Sequence, residues 1–198
     1  LHHMVSALQK APAERVTYVP LVGGMGRLRM ELHANSLAEK MSRLGDGTFI
    51  PLHAPARVSS TLVRDELMKE ESVQDAVKLM NRIDVALVGI GYPNEHSAIK
   101  ATGYYKENEI ESLVSRKAAG ELCMQFYDIE GHTGPYASDN AVIGMDIHRL
   151  CKVPCSVGIA GGKEKLSAIQ GAINGKYINV LITDTECARA LLSDEEEE

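Results

Sequence analysis

Apolar positions along the chain recur with two periods. Short apolar runs stand at 16–22 (VTYVPLV), 48–52 (TFIPL), 85–88 (VALV), 121–127, 156–160 (SVGIA) and 178–182 (INVLI). Their length and β-branched content predict short strands, hydrophobic throughout because helices cover them. Pro20 is a local objection to the first run, since it cannot donate a ladder hydrogen bond. Between the runs, apolar residues fall three or four apart, which predicts amphipathic helices. Leu1, Met4, Val5 and Leu8 form one such set, and Leu32, Leu37, Met41 and Leu44 another, stopped by Gly45-Asp46-Gly47. Ser59 and Ser60 offer caps for a helix through Leu62, Val63 and Leu67, and Ser72 for one through Val73, Ala76, Val77 and Met80. Further helices are expected over 107–116, over 165–173, and from a Thr185 cap through Cys187, Ala190 and Leu191. The stretch 94–105 reads as a loop with some helical content, 131–140 as polar turns, and 143–150 as holding a short helix.

This alternation of buried strands and helices is the pattern of a mostly parallel α/β sheet with helices on both faces. One domain is expected over 1–193, followed by a solvated acidic tail, 194–198.

Composition narrows the function. The 198 residues carry a formal charge of −6, which argues against a stand-alone nucleic-acid binder, whose affinity comes from a basic face. No apolar run approaches the ~18 residues of a membrane span, and no secretory signal is visible. Cys123, Cys151, Cys155 and Cys187 form no C-x-x-C pair, as expected for reduced thiols in a cytoplasmic protein. With no Trp and two Phe, there are few platforms for stacking bases or sugar faces.

Ligands of open α/β sheets bind beyond the carboxyl ends of the strands. Three strands end there in glycines: Gly23-Gly24-Met25-Gly26, Gly89-Ile90-Gly91 and Gly161-Gly162. Glycine lets a backbone approach a ligand, and a following helix offers N–H groups to an anion. None of the three is a nucleotide fingerprint. Lys165 is expected about one turn into the helix after Gly161-Gly162. There it opposes the helix dipole, which a bound phosphate would explain as well as a solvated position does. His33 and His53 are candidate donors to sugar hydroxyls or phosphate, against the plainer reading of half-exposed structural histidines. Glu121, after Gly120, is a candidate acceptor for hydroxyls or an ordinary surface carboxylate, and Asp184 reads as a helix cap. No H-E-x-x-H or H-x-H spacing points to zinc, no nucleophile elbow is present, and no second acid partners Glu121. No metal, cofactor or catalytic residue is expected.

Several stretches occur in a telling order: Val19-Pro20-Leu21-Val22-Gly23-Gly24 with His33-Ala34-Asn35 and Ala38, Leu52-His53-Ala54-Pro55-Ala56, Val88-Gly89-Ile90-Gly91, Gly120-Glu121 leading to Phe126-Tyr127-Asp128, Ile159-Ala160-Gly161-Gly162-x-x-Lys165-x-x-Ala168-Ile169, and Gly175-Lys176-Tyr177-Ile178-Asn179-Val180-Leu181-Ile182-Thr183-Asp184 followed by Ala188-x-Ala190-Leu191-Leu192. Together they resemble the effector-sensing, sugar-binding domain of the SorC family of bacterial transcriptional regulators, deoxyribonucleoside-regulator type included. The resemblance implies a Rossmann-like fold related to phosphosugar isomerases and CoA transferases, and binding of a phosphorylated sugar without turnover. It also implies a preceding helix-turn-helix domain that binds operator DNA, in a homodimer or homotetramer. Ligand-facing residues implied by motif are Val22, Gly23, Gly24, His33, Asn35, His53, Gly89, Glu121, Gly161, Gly162 and Lys165. The family's first strand and its Gly- and Thr-containing phosphate loop are expected just before Leu1. Val22 stands where some relatives have Lys or Arg, which excludes a Schiff base there. The rival function is a phosphosugar isomerase or deaminase on the same fold, with Glu121 and His53 as acid–base candidates. A blander possibility is an oligomerisation domain with a vestigial pocket.

Overall fold

A computed structural model describes residues 1–12, 15–24, 26–27, 29–94, 100 and 102–193. The chain divides into two compact units: Leu1–Ile83 with Thr102–Tyr104 and Ala141–Met145, and Asp84–Ala101 with Tyr105–Asn140 and Asp146–Glu198.

In the first unit, helix α1 (His2–Ala7) buries Val5. Strand β1 (Thr17–Tyr18) pairs in parallel with β2 (Thr48–Phe49). Helix α2 (Ala34–Gly45) joins them and buries Leu37 and Ala38; a 3-10 turn, Met30–Leu32, precedes it. Asp46 ends α2 in the left-handed conformation, φ 54°, and Gly47 N–H reaches Ser42 O at 2.9 Å. The expected strand 16–22 is therefore only two residues long. Pro20 breaks its ladder, and Val22 rejoins through a single antiparallel bridge to Gly144. Ile50 N–H still reaches Tyr18 O at 3.0 Å before Pro51 ends the second strand.

Helix α3 (Thr61–Leu67) starts at Ser60, whose hydroxyl accepts Val63 N–H at 3.3 Å, but its Leu62 and Val63 face solvent. Helix α4 (Glu71–Met80) buries Val73, Ala76 and Met80, and Glu70 rather than Ser72 stands at its N-cap. The distant segment Ala141–Met145 completes this unit. Val58 N–H donates to Ala141 O, Ile143 N–H to Ala56 O and Met145 N–H to Leu21 O, all within 2.9 Å. These bonds insert Val142, Ile143 and Met145 into the core.

In the second unit, β3 (Val85–Gly89) is followed by helix α5 (Glu107–Ser115), hairpin β4 (Gly120–Leu122) and β5 (Gln125–Tyr127), the 3-10 turn Gly134–Asp139 and the short helix α6 (Ile147–Leu150). Then come β6 (Cys155–Ile159), the 3-10 turn Lys163–Lys165, helix α7 (Leu166–Asn174), β7 (Val180–Ile182) and helix α8 (Thr185–Ser193). Strands β3, β6 and β7 form a parallel sheet in that order, with Gly89 opposite Ile159 and Ile159 opposite Ile182. Ala86, Val88 and Val157 are buried in it. Tyr127 and Tyr177 are buried with ring centres 5.5 Å apart; their hydroxyls donate to Ala168 O at 2.9 Å and Gly131 O at 2.5 Å.

Three expectations in this unit need correction. The stretch 121–127 is a hairpin, not one strand: it reverses at Cys123 (φ 50°) and Met124 (φ 62°). Two consecutive left-handed residues make the tight hairpin turn that usually takes Asn-Gly, so the residue types gave no turn signal. The last strand begins at Val180, not Ile178; Asn179 just before it donates its N–H to Ser156 O at 2.9 Å, its Oδ1 accepts Ser156 N–H at 2.9 Å and its Nδ2 donates to Pro154 O at 3.0 Å. Lys165 closes the 3-10 turn and stands at the N-cap of α7, not one turn inside it. The expected acidic tail and much of the 94–105 loop lie outside the described residues. Two of the three strand sets are parallel, as the α/β pattern requires. Among the described residues, no helix is long and apolar enough to cross a membrane.

Candidate functional site

The sequence candidates of the first unit gather around the turn after Leu52. Gly23 packs backbone to backbone: a Cβ there would lie 2.5 Å from Pro55 O and 2.6 Å from Ala54 O. Gly23 N–H donates to Ile143 O at 3.0 Å and Gly24 N–H to Ala54 O at 2.8 Å. Gly24 O accepts Ala56 N–H and the Tyr104 hydroxyl, each at 2.8 Å. Both amides expected to greet an anion are thus engaged, and the glycines serve close approach. Val22 is buried. Asn35 is a brace: its Nδ2 donates to Leu52 O at 3.1 Å and its Oδ1 accepts Leu52 N–H at 3.0 Å. It fixes the backbone just before the exposed His53, and His33 occupies the N-cap position of α2.

The second unit brings together Glu121, Lys165 and the glycine turns after β3 and β6. Gly91 N–H donates to Glu121 O at 3.1 Å, and Glu121 N–H donates to Gly91 O at 2.9 Å. The Glu121 carboxylate lies against the Gly91 Cα, where any side chain would collide with it. Its Oε2 accepts Met124 N–H from the strained hairpin turn at 2.9 Å. Burial pushes the Glu121 carboxyl up to about 7, against the opposing pull of that N–H and of the Lys165 charge. Lys165 Nζ donates to Ile90 O at 2.9 Å, which ties the turn after β6 to the end of β3 beside Gly89. Ile90 N–H reaches Ile159 O at 3.3 Å. Gly162, at φ 101°, donates its N–H to Asp184 Oδ2 at 2.7 Å.

The amides of Ile90, Gly91 and Gly162 are therefore engaged as well. What the second unit offers a ligand is a carboxyl pushed up to about 7 and an ammonium bonded to the Ile90 carbonyl, at the carboxyl ends of β3 and β6. Sequence reasoning found Glu121 and Lys165 but missed the Ile90 carbonyl, the Met124 turn and the Gly162 contact of Asp184. All three are contacts across the fold with no local pattern. Burial and the Glu121 charge push the Cys123 thiol up to about 12, which leaves it unreactive.

Two other polar groupings lie in this unit. A cavity of about 190 Å³ is lined by Gln125, Thr133, Tyr136, Asn140 and His148 among others, without Glu121 or Lys165. Its groups pair with one another: Thr133 Oγ1 with His148 Nε2 at 2.9 Å, and Asn140 Nδ2 with Gln125 Oε1 at 3.3 Å. Asp128, Glu130 and His132 bring potential metal ligands within 4.8 Å of one another. The turn's own bonds account for much of that approach, since His132 N–H donates to Asp128 Oδ1 at 2.7 Å.

This fold and site define an α/β ligand-binding domain. Residues 1–193 match the family model described as "Putative sugar-binding domain", and the chain belongs to that family, the sugar-binding domain of SorC-type regulators. It is 32% identical over 185 residues to the sorbitol operon regulator of Klebsiella pneumoniae, covering 93% of this chain and 59% of that protein. The deoxyribonucleoside regulator of Bacillus subtilis is 27% identical over 199 residues, covering 98% of this chain and 62% of the relative. Among solved structures, the full-length sorbitol operon regulator of Klebsiella pneumoniae aligns with a TM-score of 0.89 at 32% identity, over 96% of this chain and 63% of that one. A DeoR family transcriptional regulator from Listeria monocytogenes aligns with a TM-score of 0.88 at 25% identity, over 96% and 74%. The chain spans about three fifths of the length of the curated relatives it matches.

Proposed function

We propose that this chain is the effector-sensing domain of a cytoplasmic bacterial transcriptional regulator, and that it binds a phosphorylated sugar or sugar-like metabolite without converting it. Operator DNA would be bound by an N-terminal helix-turn-helix domain of the whole protein, in a dimer or tetramer. The observation that carries this reading is the Lys165 ammonium on the Ile90 carbonyl, one residue before the Gly91 that pairs with Glu121, at the carboxyl ends of parallel strands. One hydrogen of the Lys165 ammonium goes to Ile90 O, and two remain for ligand oxygens. A carboxyl near 7 accepts from a sugar hydroxyl when ionised and donates to a sugar oxygen when protonated. Lys165 would meet the anionic part of the ligand. The Gly89 and Gly161-Gly162 turns of the same unit would contribute close backbone approach rather than amide donors.

The relatives are named as regulators, which favours sensing over the isomerase or deaminase reading. The acidic charge of −6 agrees with leaving DNA to another domain. Coupling to the operator is limited by the ligand's differential affinity for two quaternary states. A thermal-shift screen tests the reading, with sorbitol 6-phosphate and 2-deoxyribose 5-phosphate as first probes because the relatives serve sorbitol and deoxyribonucleoside systems. A probe at ~100 times its Kd adds about 2.7 kcal/mol, hence a Tm rise of roughly 5–10 °C. Lys165→Ala should weaken a phosphorylated probe far more than its unphosphorylated analogue. Equal loss for the two would remove Lys165 from the phosphate.

A further inference from the structure

Asp184 was expected to do no more than cap α8. It does cap it, its Oδ1 accepting Cys187 N–H at 2.9 Å. Its other oxygen, Oδ2, accepts Gly162 N–H at 2.7 Å, 22 residues earlier in the chain. One carboxylate thus bonds the glycine turn after β6 and the first turn of α8 at the same time. The two elements touch twice more: Cys187 Sγ donates to Gly162 O at 3.1 Å, and Lys163 Nζ stands 3.8 Å from Glu186 Oε2. The turn has little room to respond separately. Gly162 has a φ of 101° that side-chain-bearing residues rarely adopt, and a Cβ on Gly161 would lie 2.7 Å from Asp184 Oδ2. The same two N–H bonds hold the Asp184 carboxyl below the ordinary carboxylate range, so it is ionised at neutral pH and both bonds are charge-assisted.

We propose that Asp184 is a positioning residue that makes the Gly161-Gly162 turn and helix α8 one mechanical body, so that occupancy of the turn is transmitted to α8. This rests on the reading that the turn borders the effector site. The geometry also says which variant separates the two functions. Asparagine caps helices about as well as aspartate. In Asp184→Asn, the amide oxygen keeps the Cys187 N–H, while an NH2 group faces the Gly162 N–H and cannot accept it. The turn is released and the helix stays capped.

The test is residue-resolved amide hydrogen exchange on the full chain, native and Asp184→Asn, without ligand and with saturating sorbitol 6-phosphate. Without ligand, Gly162 should exchange at least tenfold faster in the variant while Cys187 changes less than about twofold. A Gly162 amide equally protected in both proteins, or Cys187 released along with it, overturns the latch. With ligand, the native chain should gain protection at the turn and along α8 together, and the variant at the turn alone. Equal protection of α8 in both overturns the transmission. If the probe changes nothing in the native chain, the effector reading of the site fails for that probe, and the ligand-free comparison still decides the latch.

Discussion

Lys165 Nζ stands 2.9 Å from the carbonyl oxygen of Ile90, 75 residues earlier in sequence. A lysine at a helix N-cap opposes the dipole. This one is held there by the carbonyl of the turn after β3. Lys165→Met keeps the aliphatic stem and removes the ammonium. It should lower Tm without ligand by roughly 3–12 °C, because a hydrogen bond from a charged group contributes about 1.5–3 kcal/mol net. The ligand-induced Tm rise should disappear. A full rise in the variant removes Lys165 from the site.

Glu121 makes both stability and binding depend on pH. Its folded pKa, about 7, lies above the ordinary glutamate value, so the folded state holds its proton more tightly than the unfolded state does. Its contribution is favourable at low pH and is lost as pH rises from about 4.5 to about 7. The loss is on the order of 3 kcal/mol, by the rule of 1.36 kcal/mol for each pH unit. Glu121→Gln should remove that segment of the stability–pH curve, measured by urea unfolding from pH 4.5 to 8. An anion at Lys165 would favour protonated Glu121, so binding should take up a proton. Affinity should then fall as pH rises from 6.5 to 8.5, and stay flat over that range in Glu121→Gln. A pH-independent native Kd contradicts the pairing.

The two glycine turns predict different outcomes for one substitution. Gly23→Ala drives a methyl into the backbone oxygens of Ala54 and Pro55, which cannot move aside cheaply. It should destabilise by about 2–3 kcal/mol, a Tm loss of roughly 4–10 °C. Gly91→Ala meets the Glu121 side chain from Cγ to Oε1, which can move only by giving up its Met124 N–H bond. It should cost about 1–2 kcal/mol, less than Gly23→Ala, while displacing the carboxyl, and so impair ligand binding in a protein that still folds. Thermal denaturation with and without ligand separates the two.

Asn35→Ala leaves the Leu52 N–H and carbonyl without their side-chain partners. That should destabilise by about 2 kcal/mol, seen as a Tm loss of roughly 4–8 °C. Unchanged stability would mean the side chain is not a brace and is available to a ligand.

The sequence carried the α/β alternation, the strand ends and the Glu121 and Lys165 candidates, because those signals are local: period, β-branching and glycine after a strand. It did not carry the way segments far apart in the chain complete each other. The stretch 143–150 reads as holding a short helix, and only bonds to Leu21 and Ala56 assign Ala141–Met145 to the first unit. The hairpin at Cys123 and Met124 lacked turn residues, so a reversal looked like one strand. Asn35 looked like a ligand residue because its type fits both roles; the Leu52 bonds that decide between them are tertiary. Glycine after a strand end was read as an approach to a ligand; at Gly23 what approaches is the backbone of Ala54 and Pro55. The residue type did not distinguish a backbone packed against another backbone from one open to an anion.

The most direct measurement is calorimetric titration of the chain with phosphorylated pentoses, hexoses and their alditols, followed by NMR of the recovered compound. At least one should bind saturably, lose most of its affinity in Lys165→Met, and be recovered unchanged. Conversion of the compound, or undiminished binding in that variant, would contradict a sensor site built on Glu121 and Lys165.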